Sequence, residues 1–185
     1  MDVSKQVSLL LKDKKSIPLI VVVLFGLLSI VDILTTTPVQ PNVKGANTVA
    51  VRVIDGDTVE VQVDGDKQTV RLIGIDTPET KAPQKPVECF GQEATAKLKE
   101  LIERREIYLE SDPTQQDQDR YDRLLRYIFL PNGTNINLEM IRQGYAYEYT
   151  YNVPYKYQTE FENAQFDARN RNLGLWNEST CNGER

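Results

Sequence analysis

The chain has 185 residues, of which 40% are hydrophobic and 26% are charged, so we expect one folded domain with extensions. It contains 0 His and only 2 Cys, which excludes a Ser-His-Asp triad, a Cys-His pair, a His-ligated zinc and a four-thiolate metal site. The net charge of −5 does not indicate a nucleic-acid-binding surface, so binding to a polyanion would need a local basic cluster or a bound metal.

The N-terminal segment has the pattern of a membrane-targeting signal. Residues 1–16 are polar and contain several lysines, and residues 17–31 (IPLIVVVLFGLLSIV) are uncharged up to Asp32. This pattern is typical of a signal anchor or a signal peptide, which we assign to residues 17–35. The uncharged run is shorter than the ~20 residues of a spanning helix, and no A-x-A-like cleavage site follows it. We favour a retained anchor, with a cleaved signal peptide and a buried core helix as alternatives.

The lysines before the apolar run place the N terminus in the cytoplasm and the rest of the chain outside it. We therefore expect a protein of the cell membrane with an extracytoplasmic domain, or a secreted protein if the segment is cleaved. Residues 36–47 are rich in Thr, Pro and Asn and are predicted to be a linker. The folded domain is predicted at residues 48–177, followed by a C-terminal tail at residues 178–185.

The domain begins with a predicted three-stranded meander over residues 48–75, in which valines alternate with polar residues. Its turns are predicted at Asp55-Gly56-Asp57 and Asp64-Gly65-Asp66, because Asp-Gly accepts positive φ. Periodicity, caps and turns predict the remaining elements. They are a helix over residues 91–104, strands over residues 107–110 and 124–130, a helix over residues 137–143 capped by Asn137 and ended by Gly144, and a helix over residues 155–172 ended by Gly174. Five strands and three helices in this order predict a small α+β domain built around a five-stranded Greek-key β-barrel.

Three short segments concentrate residues that carry chemistry. They are residues 54–59 (IDGDTV), residues 70–80 (VRLIGIDTPET) and residues 119–127 (DRYDRLLRY). Each segment alone is typical of a turn, a helix cap or a solvated charged loop. In a meander, however, Asp57 begins one strand, while Arg71 lies on the next and Asp76 follows it. The three side chains can therefore meet at one end of the sheet.

These residue types suit the hydrolysis of a phosphodiester bond, which needs an activated water, neutralised phosphoryl oxygens and a stabilised leaving group. Asp57 and Asp76 can hold a hard cation through oxygen ligands. Arg71 and Arg123 present planar donor forks that match phosphate oxygens and stay charged at any working pH. Glu79 can act on a water as a general base. No histidine is needed.

The three segments, in this order, resemble the staphylococcal nuclease (thermonuclease) family, and the resemblance extends over roughly residues 48–176. It implies an OB-fold barrel with three helices and calcium-dependent cleavage of DNA and RNA that leaves 3′-phosphate products. It also implies a Ca²⁺ ion bound by Asp57, Asp76 and the main-chain carbonyl of Thr77, with Asp55 beside these ligands.

The same resemblance assigns roles to six further positions. The implied catalytic residues are Arg71, Glu79 and Arg123, and the implied nucleotide-contacting residues are Arg120, Tyr121 and Tyr149. The loop at residues 81–89 keeps Lys81 and Lys85 but is less basic than that of the family's best-known member. We therefore expect a modest dependence of substrate binding on salt, because fewer phosphate contacts release fewer counterions.

Two functions other than catalysis remain open at this point. The first is a non-catalytic OB-fold module, tethered to the membrane, that binds nucleic acid or a partner. The second is a membrane-tethered structural domain, which only the acidic charge favours. The presence of both arginines and all three carboxylates favours the enzyme, and we expect a monomer with DNA or RNA as its substrate.

Cys89 and Cys181 form an even pair in a domain expected outside the cytoplasm. We predict a disulfide between them, with two free thiols as the alternative. The tyrosines between positions 145 and 157 are interpreted as amphipathic packing, with a strip for stacking bases as the alternative. Trp176 is predicted to hold the last helix against the barrel.

Overall fold

The computed structural model describes residues 46–80 and 87–184. The predicted signal segment, nearly all of the linker and the lysines of the 81–86 loop lie outside the described residues. Within the described ranges, no helix is long and apolar enough to cross a membrane. The predictions about the N-terminal segment therefore stay predictions.

Five strands of the described chain form a closed barrel. They are β1 (Ala46–Asp55), β2 (Thr58–Val63), β3 (Asp66–Leu72), β5 (Glu106–Glu110) and β6 (Leu124–Phe129), with two short strands outside the barrel, β4 (Ile75–Asp76) and β7 (Tyr147–Glu148). The barrel order is β1-β2-β3-β6-β5, and β3 and β6 run parallel while the other barrel neighbours are antiparallel. The first strand begins before the predicted start at residue 48, because its pairing with β5 extends to Ala46. The predicted five-stranded barrel is confirmed, and its closure leaves no free barrel edge.

The described residues also contain three α-helices. They are α1 (Gly91–Ile102), α2 (Ile136–Arg142) and α3 (Gln158–Asn170), and a 3₁₀ turn follows at Gly174–Trp176. The first helix ends before the predicted residue 104. The reason is that Arg104 adopts a left-handed conformation with φ 60° and donates its N–H to the carbonyl of Ala50 at 2.7 Å. Pairing with the barrel therefore ends the helix.

The prediction that Asn137 caps α2 was wrong, since the cap is Asn135, whose side chain accepts a hydrogen bond from the N–H of Leu138. Asn137 lies inside the helix with its side chain fully buried. Its Oδ1 accepts the N–H of Ile128 at 3.0 Å, and its Nδ2 donates to the carbonyl of Ile73 at 2.9 Å. This amide therefore ties α2 to β6 and to the residue that follows β3.

The end of α3 also differs from the prediction. Asn172 takes the left-handed position with φ 50°, and the N–H of Leu173 returns to the carbonyl of Ala168 at 3.0 Å. Gly174 serves a different purpose, because a Cβ there would collide with the carbonyl oxygen of Gly144. The two glycines let the segment after α3 pack backbone to backbone against the end of α2.

In the segment after α3, Leu175 is the residue that is fully buried, not Trp176. The Trp176 ring packs edge-to-face on Tyr147 with ring centroids 5.2 Å apart, and the Arg169 guanidinium lies 4.9 Å from the Trp176 ring centroid. Trp176 therefore contributes to docking α3, as predicted, but as a partly exposed layer over the buried leucine.

The residues after this turn belong to the fold. Cys181 is bonded to Cys89 with their Cα atoms 5.8 Å apart, a separation that suits a disulfide. The N–H of Gly183 donates to the carbonyl of Leu175 at 2.8 Å and the N–H of Asn182 to that of Asn177 at 3.0 Å. The segment predicted as a tail is therefore packed on the domain, at least to residue 184.

The two predicted hairpin turns differ in conformation. Asp64 and Gly65 both have positive φ, 53° and 92°, as a tight turn with left-handed central residues requires. Gly56 lacks positive φ. A Cβ there would instead lie 2.7 Å from Thr77 Oγ1 and 3.0 Å from the Ala94 Cβ. This glycine is thus needed for the close packing of the Thr77 loop and α1 against the β1–β2 turn.

Candidate active site

The predicted site residues converge at one end of the barrel. In the strand register, Thr58 pairs with Arg71, which pairs in turn with Leu125 of the parallel neighbour β6. A groove of about 900 Å³ opens at this end. The predicted residues that line it are Arg71, Asp76, Arg120, Tyr121, Arg123 and Tyr149.

Arg71 lies between the two aspartates that were predicted to bind metal. Its Nη2 is 3.1 Å from Asp57 Oδ2 and 2.9 Å from Asp76 Oδ1. Its Nη1 donates to the carbonyls of Leu72 and Ile75, both at 2.8 Å. The side chains of Arg71, Asp57 and Asp76 are 15%, 11% and 23% exposed. Two largely buried carboxylates thus face one point, and a positively charged nitrogen lies between them.

Both oxygens of Asp57 are fixed by hydroxyl and amide groups. Thr58 Oγ1 donates to Oδ1 at 2.9 Å, while the N–H and the hydroxyl of Thr77 both donate to Oδ2 at 3.2 Å. Thr77 is itself buried. The Asp57 carboxylate therefore holds the main chain of Thr77 beside it, which is the arrangement that a carbonyl ligand from Thr77 would need.

Asp55, which does not line the groove, also fixes neighbouring residues through its carboxylate. Its Oδ1 accepts hydrogen bonds from the N–H of Gly56 at 2.8 Å and from the hydroxyls of Thr80 and Thr95 at 3.1 and 3.0 Å. Because Thr95 lies in α1, this carboxylate ties the residues after Thr77 to both the barrel and the helix.

Arg123 is oriented by Asp119, a residue to which the sequence had assigned no role. Arg123 Nε and Nη2 lie 2.7 and 2.6 Å from Asp119 Oδ2, and Arg123 Nη1 reaches Thr58 Oγ1 at 3.4 Å. Burial raises the pKa of Asp119, but hydrogen bonds from Arg123 and from the Tyr121 N–H outweigh it and hold that pKa below its ordinary value. The guanidinium of Arg123 is thereby joined to Asp57 through the Thr58 hydroxyl.

The aromatic residues of the groove divide into exposed and buried sets. Tyr121, Tyr149 and Tyr151 are 62%, 42% and 68% exposed, whereas Tyr155 is buried. Tyr147, which does not line the groove, is buried as well. The rings of Tyr149 and Tyr151 lie 6.3 Å apart. The packing interpretation therefore holds for the buried tyrosines, while the exposed rings face the groove, where bases could stack.

Arg120 is associated with Tyr121 rather than with a carboxylate. Its guanidinium carbon lies 4.7 Å from the Tyr121 ring centroid, and its Nη2 donates to the Tyr121 hydroxyl at 2.7 Å. Arg123 approaches the same ring at 5.4 Å. A planar cation on an exposed ring at the edge of a groove suits contact with a phosphate or a base.

The main chain of Glu79 is hydrogen-bonded to Glu88. Its N–H donates to Glu88 Oε2 at 3.0 Å, and its carbonyl accepts the N–H of Glu88 at 2.9 Å. Glu79 is partly buried and lies two residues beyond Thr77. The predicted base is therefore on the same loop as the predicted carbonyl ligand.

The wall of the groove at residues 114–116 is supported by Asp112, which is only 4% exposed. Its carboxylate accepts hydrogen bonds from the Tyr127 hydroxyl at 2.6 Å, the Lys156 N–H at 2.7 Å, and the N–H and hydroxyl of Thr114 at 2.8 Å. Burial alone would raise the pKa of Asp112, but these hydrogen bonds outweigh it and hold that pKa below its ordinary value.

Because its pKa is lowered by folding, Asp112 stabilises the protein above the pKa of ~3.9 of an unfolded Asp, and this contribution is lost as the pH falls toward the folded pKa. We expect Asp112→Asn to lower the free energy of unfolding by about 1–3 kcal/mol at pH ~7, with a smaller difference near pH ~3. Denaturant titrations at both pH values measure this. The exposed Asp117 provides the control, since Asp117→Asn should change stability by less than about 1 kcal/mol. An equal loss for Asp112→Asn at both pH values would contradict the assignment.

The chemistry of the donor set fits a hard cation. Asp57 and Asp76 supply carboxylate oxygens that face one point, and the main chain of Thr77 lies beside Asp57. Among the described residues, no group of three Asp, Glu, His or Cys side chains is placed to hold a metal. Because Ca²⁺ takes 6–8 oxygens, water or substrate oxygens would have to complete its coordination. Such a site is open to the groove by necessity.

The chain matches the family described as "Staphylococcal nuclease homologue" over residues 69–178. It is 40% identical over 126 residues to a thermonuclease of Staphylococcus hyicus, covering 68% of this chain and 73% of that protein. It is 36% identical over 135 residues to a thermonuclease of Staphylococcus intermedius, covering 73% and 79%. It is also 35% identical over 145 residues to the endonuclease YncB of Bacillus subtilis (strain 168), covering 77% and 68%.

Proposed function

The chain belongs to the staphylococcal nuclease family and is a nuclease, a hydrolase of phosphodiester bonds; from this we propose that it cleaves DNA or RNA, with calcium bound by Asp57 and Asp76, to give 3′-phosphate products. The observation that carries the proposal is the position of Arg71 Nη2 between two largely buried carboxylates at the groove. No soft ligand or histidine takes part, in keeping with the composition.

In this proposal the phosphodiester lies in the groove between the two arginines. Asp57, Asp76 and the Thr77 carbonyl would hold the calcium ion, which supplies positive charge to the phosphoryl oxygens. The Arg71 Nη1 group is fixed by the carbonyls of Leu72 and Ile75. This contact sets the plane of the guanidinium, so that its Nε–H, and an Nη2 N–H exchanged from a carboxylate, can be presented to a phosphoryl oxygen.

Arg123 acts on the same phosphoryl group from the other side of the groove. Its contact with Asp119 fixes Nε and Nη2, and the loose 3.4 Å contact of Nη1 with Thr58 can be exchanged for a phosphoryl oxygen. Glu79 takes a proton from the attacking water, the water oxygen bonds to phosphorus, and the bond to the 5′ oxygen of the next nucleotide breaks. That oxygen takes a proton from solvent water and leaves as a hydroxyl group. The phosphate remains on the 3′ oxygen.

The substrate contacts proposed beyond the phosphate come from the exposed groove residues. Arg120 and Tyr121 form a cation–aromatic pair on one side, and Tyr149 and Tyr151 form a second pair of rings. Stacking on such rings is tolerant of sequence, because every base presents a π-face. A non-catalytic binding module would use the same kind of contact, but in a member of a nuclease family we propose that these residues bind the substrate.

The proposed ligands can be tested by Asp57→Asn, which removes one of the two negative charges that face the site. We expect the calcium concentration for half-maximal cleavage, and the dissociation constant for calcium without substrate, to rise roughly tenfold or more, because calcium affinity follows the charge of its ligands. Asp66→Asn in the exposed β2–β3 turn is the matched control and should leave both values unchanged. Unchanged calcium binding by a folded Asp57→Asn protein would remove Asp57 from the ligand set.

A further inference from the structure

Both main-chain polar groups of Glu79 are hydrogen-bonded to Glu88. The N–H of Glu79 donates to Glu88 Oε2 at 3.0 Å, and the N–H of Glu88 donates back to the carbonyl of Glu79 at 2.9 Å. One of these bonds is a backbone pair, and the other is a charge-assisted bond to a carboxylate, which is the stronger kind. Glu88 therefore binds both the N–H and the carbonyl of Glu79.

Glu88 is itself fixed on its C-terminal side. Cys89 is bonded to Cys181, and the carbonyl of Glu88 accepts the N–H of Gly91 at 3.2 Å at the start of α1. Gly91 packs so closely on the loop that a Cβ there would lie 2.9 Å from the carbonyl oxygen of Pro78 and 3.1 Å from that of Glu79. The start of α1 and Glu88 therefore pack against or bind the segment that contains Pro78 and Glu79, and the disulfide holds the residue after Glu88.

The other side of Glu79 is also anchored. The Thr80 hydroxyl donates to Asp55 at 3.1 Å, and the main chain and hydroxyl of Thr77 donate to Asp57. These anchors and Glu88 together set the orientation of the Glu79 main chain, from which its side chain projects. Glu88 is the residue that fixes that orientation from the helix side.

We propose that Glu88 is a positioning residue that holds the Glu79 main chain in place for catalysis. The proposal rests on the proposed role of Glu79 as the base, and it adds a carboxylate that binds the Glu79 main chain and does not line the groove. A displacement of about 1 Å of a catalytic group is enough to lower a rate on the order of 100-fold. An acceptor for the Glu79 N–H is therefore a kinetic requirement as well as a structural one.

The acceptor, not the charge, is the feature that matters in this arrangement. Glu88→Ala removes the acceptor, and we expect kcat to fall on the order of 10- to 100-fold with little change in KM or in calcium affinity. Glu88→Gln keeps an oxygen at the same position and should retain most of kcat. Glu88→Asp keeps the charge, but its side chain is one methylene shorter, so the acceptor no longer reaches the Glu79 N–H and activity should fall. This variant replaces Glu88→Ala if the alanine variant does not fold.

A double-mutant cycle with Glu79→Gln tests whether Glu88 acts through Glu79. If it does, Glu88→Ala should lower kcat in the native background and have almost no further effect in the Glu79→Gln background. Exchange of the Glu79 amide hydrogen gives a second readout, which should quicken in Glu88→Ala and stay slow in Glu88→Gln. Glu93→Ala, which removes an exposed carboxylate from the first turn of α1, is the control and should change neither readout.

The outcomes separate this inference from the proposed function. Additive losses in the cycle, equal losses for Glu88→Gln and Glu88→Ala, or native kcat in a folded Glu88→Ala protein would each overturn the positioning role while leaving the nuclease intact. Native kcat in Glu79→Gln would overturn the base assignment, and the positioning role with it. A coupling that accounts for most of the Glu88→Ala loss supports the proposal.

Discussion

Replacement of Arg71 by alanine is expected to lower kcat on the order of 100- to 1000-fold, a loss of about 3–4 kcal/mol of transition-state stabilisation. The guanidinium is held by two carbonyl contacts of 2.8 Å and lies in the groove that the phosphate would occupy. A donor fixed in this way needs little reorganisation when negative charge develops on the phosphoryl oxygens. Single-turnover rates at saturating calcium give the measurement.

Arg126 offers a matched control for this variant. It lies on the neighbouring strand, opposite Leu72 in the register, and its side chain is 14% exposed against 15% for Arg71. It also pairs with a carboxylate, that of Asp117, but it does not line the groove. Arg126→Ala should therefore keep kcat within about threefold while reporting any general cost of removing a partly buried arginine. Similar kinetic losses in both variants would show that Arg71 acts through structure alone.

Loss of the disulfide is expected to have the largest effect on stability. Cys89 and Cys181 are 92 residues apart, and a cross-link of that span restricts the unfolded chain by about 4–5 kcal/mol in the chain-entropy model. The double variant Cys89→Ser/Cys181→Ser should lose about that much unfolding free energy, measured by denaturant titration. The bond also fixes the segment after the 3₁₀ turn, so local opening there should become easier as well.

The unmodified protein serves as its own reference in that experiment. Treatment with a reductant should lower the stability of the native chain to that of the double serine variant and should leave the variant unchanged. Mass measurement under non-reducing conditions should show no reactive thiol in the native protein. Two free thiols, with the fold and stability otherwise intact, would contradict the bond.

The succession of strands along the chain, and the meeting of Asp57, Arg71 and Asp76 at one end of the sheet, could be predicted because short sequence patterns mark the strands and turns. Alternating valines give β2, and Asp64-Gly65 supplies the positive φ that its turn to β3 requires. The parallel pairing of β3 with β6 then brings Arg71 and the 119–123 loop to the same end of the barrel. Two segments that are separate in sequence are adjacent for topological reasons alone.

The predictions failed where a residue's role depends on a distant partner. Asn135 and Asn137 are both suitable caps by residue type, and only the burial of Asn137 against Ile73 and Ile128 decides between them. Gly56 lies in the predicted turn but lacks the predicted positive φ, and its lack of a side chain serves the packing of Thr77 instead. No pattern within a short window contains this information.

The supporting residues of the site were missed for a related reason. The Asp119–Arg123 pair has the i, i+4 spacing of a helix, but it stands in a loop where Asp122 adopts φ 60°, so helical rules did not apply. Glu88 precedes a cysteine in a proline-rich stretch and shows no periodicity. Each is defined by what it holds, Arg123 or the peptide of Glu79, and that becomes visible only in three dimensions.

The central claim is that these carboxylates and arginines cleave phosphodiesters with a hard cation, and digestion of an end-labelled single-stranded DNA by the purified chain tests it most directly. Cleavage is measured with millimolar calcium and again with an excess of chelator, and the product ends are identified by mass. We expect cleavage to 3′-phosphate ends with calcium and none with chelator. Equal cleavage in both conditions, or none in either by a folded and disulfide-bonded protein, would contradict the account.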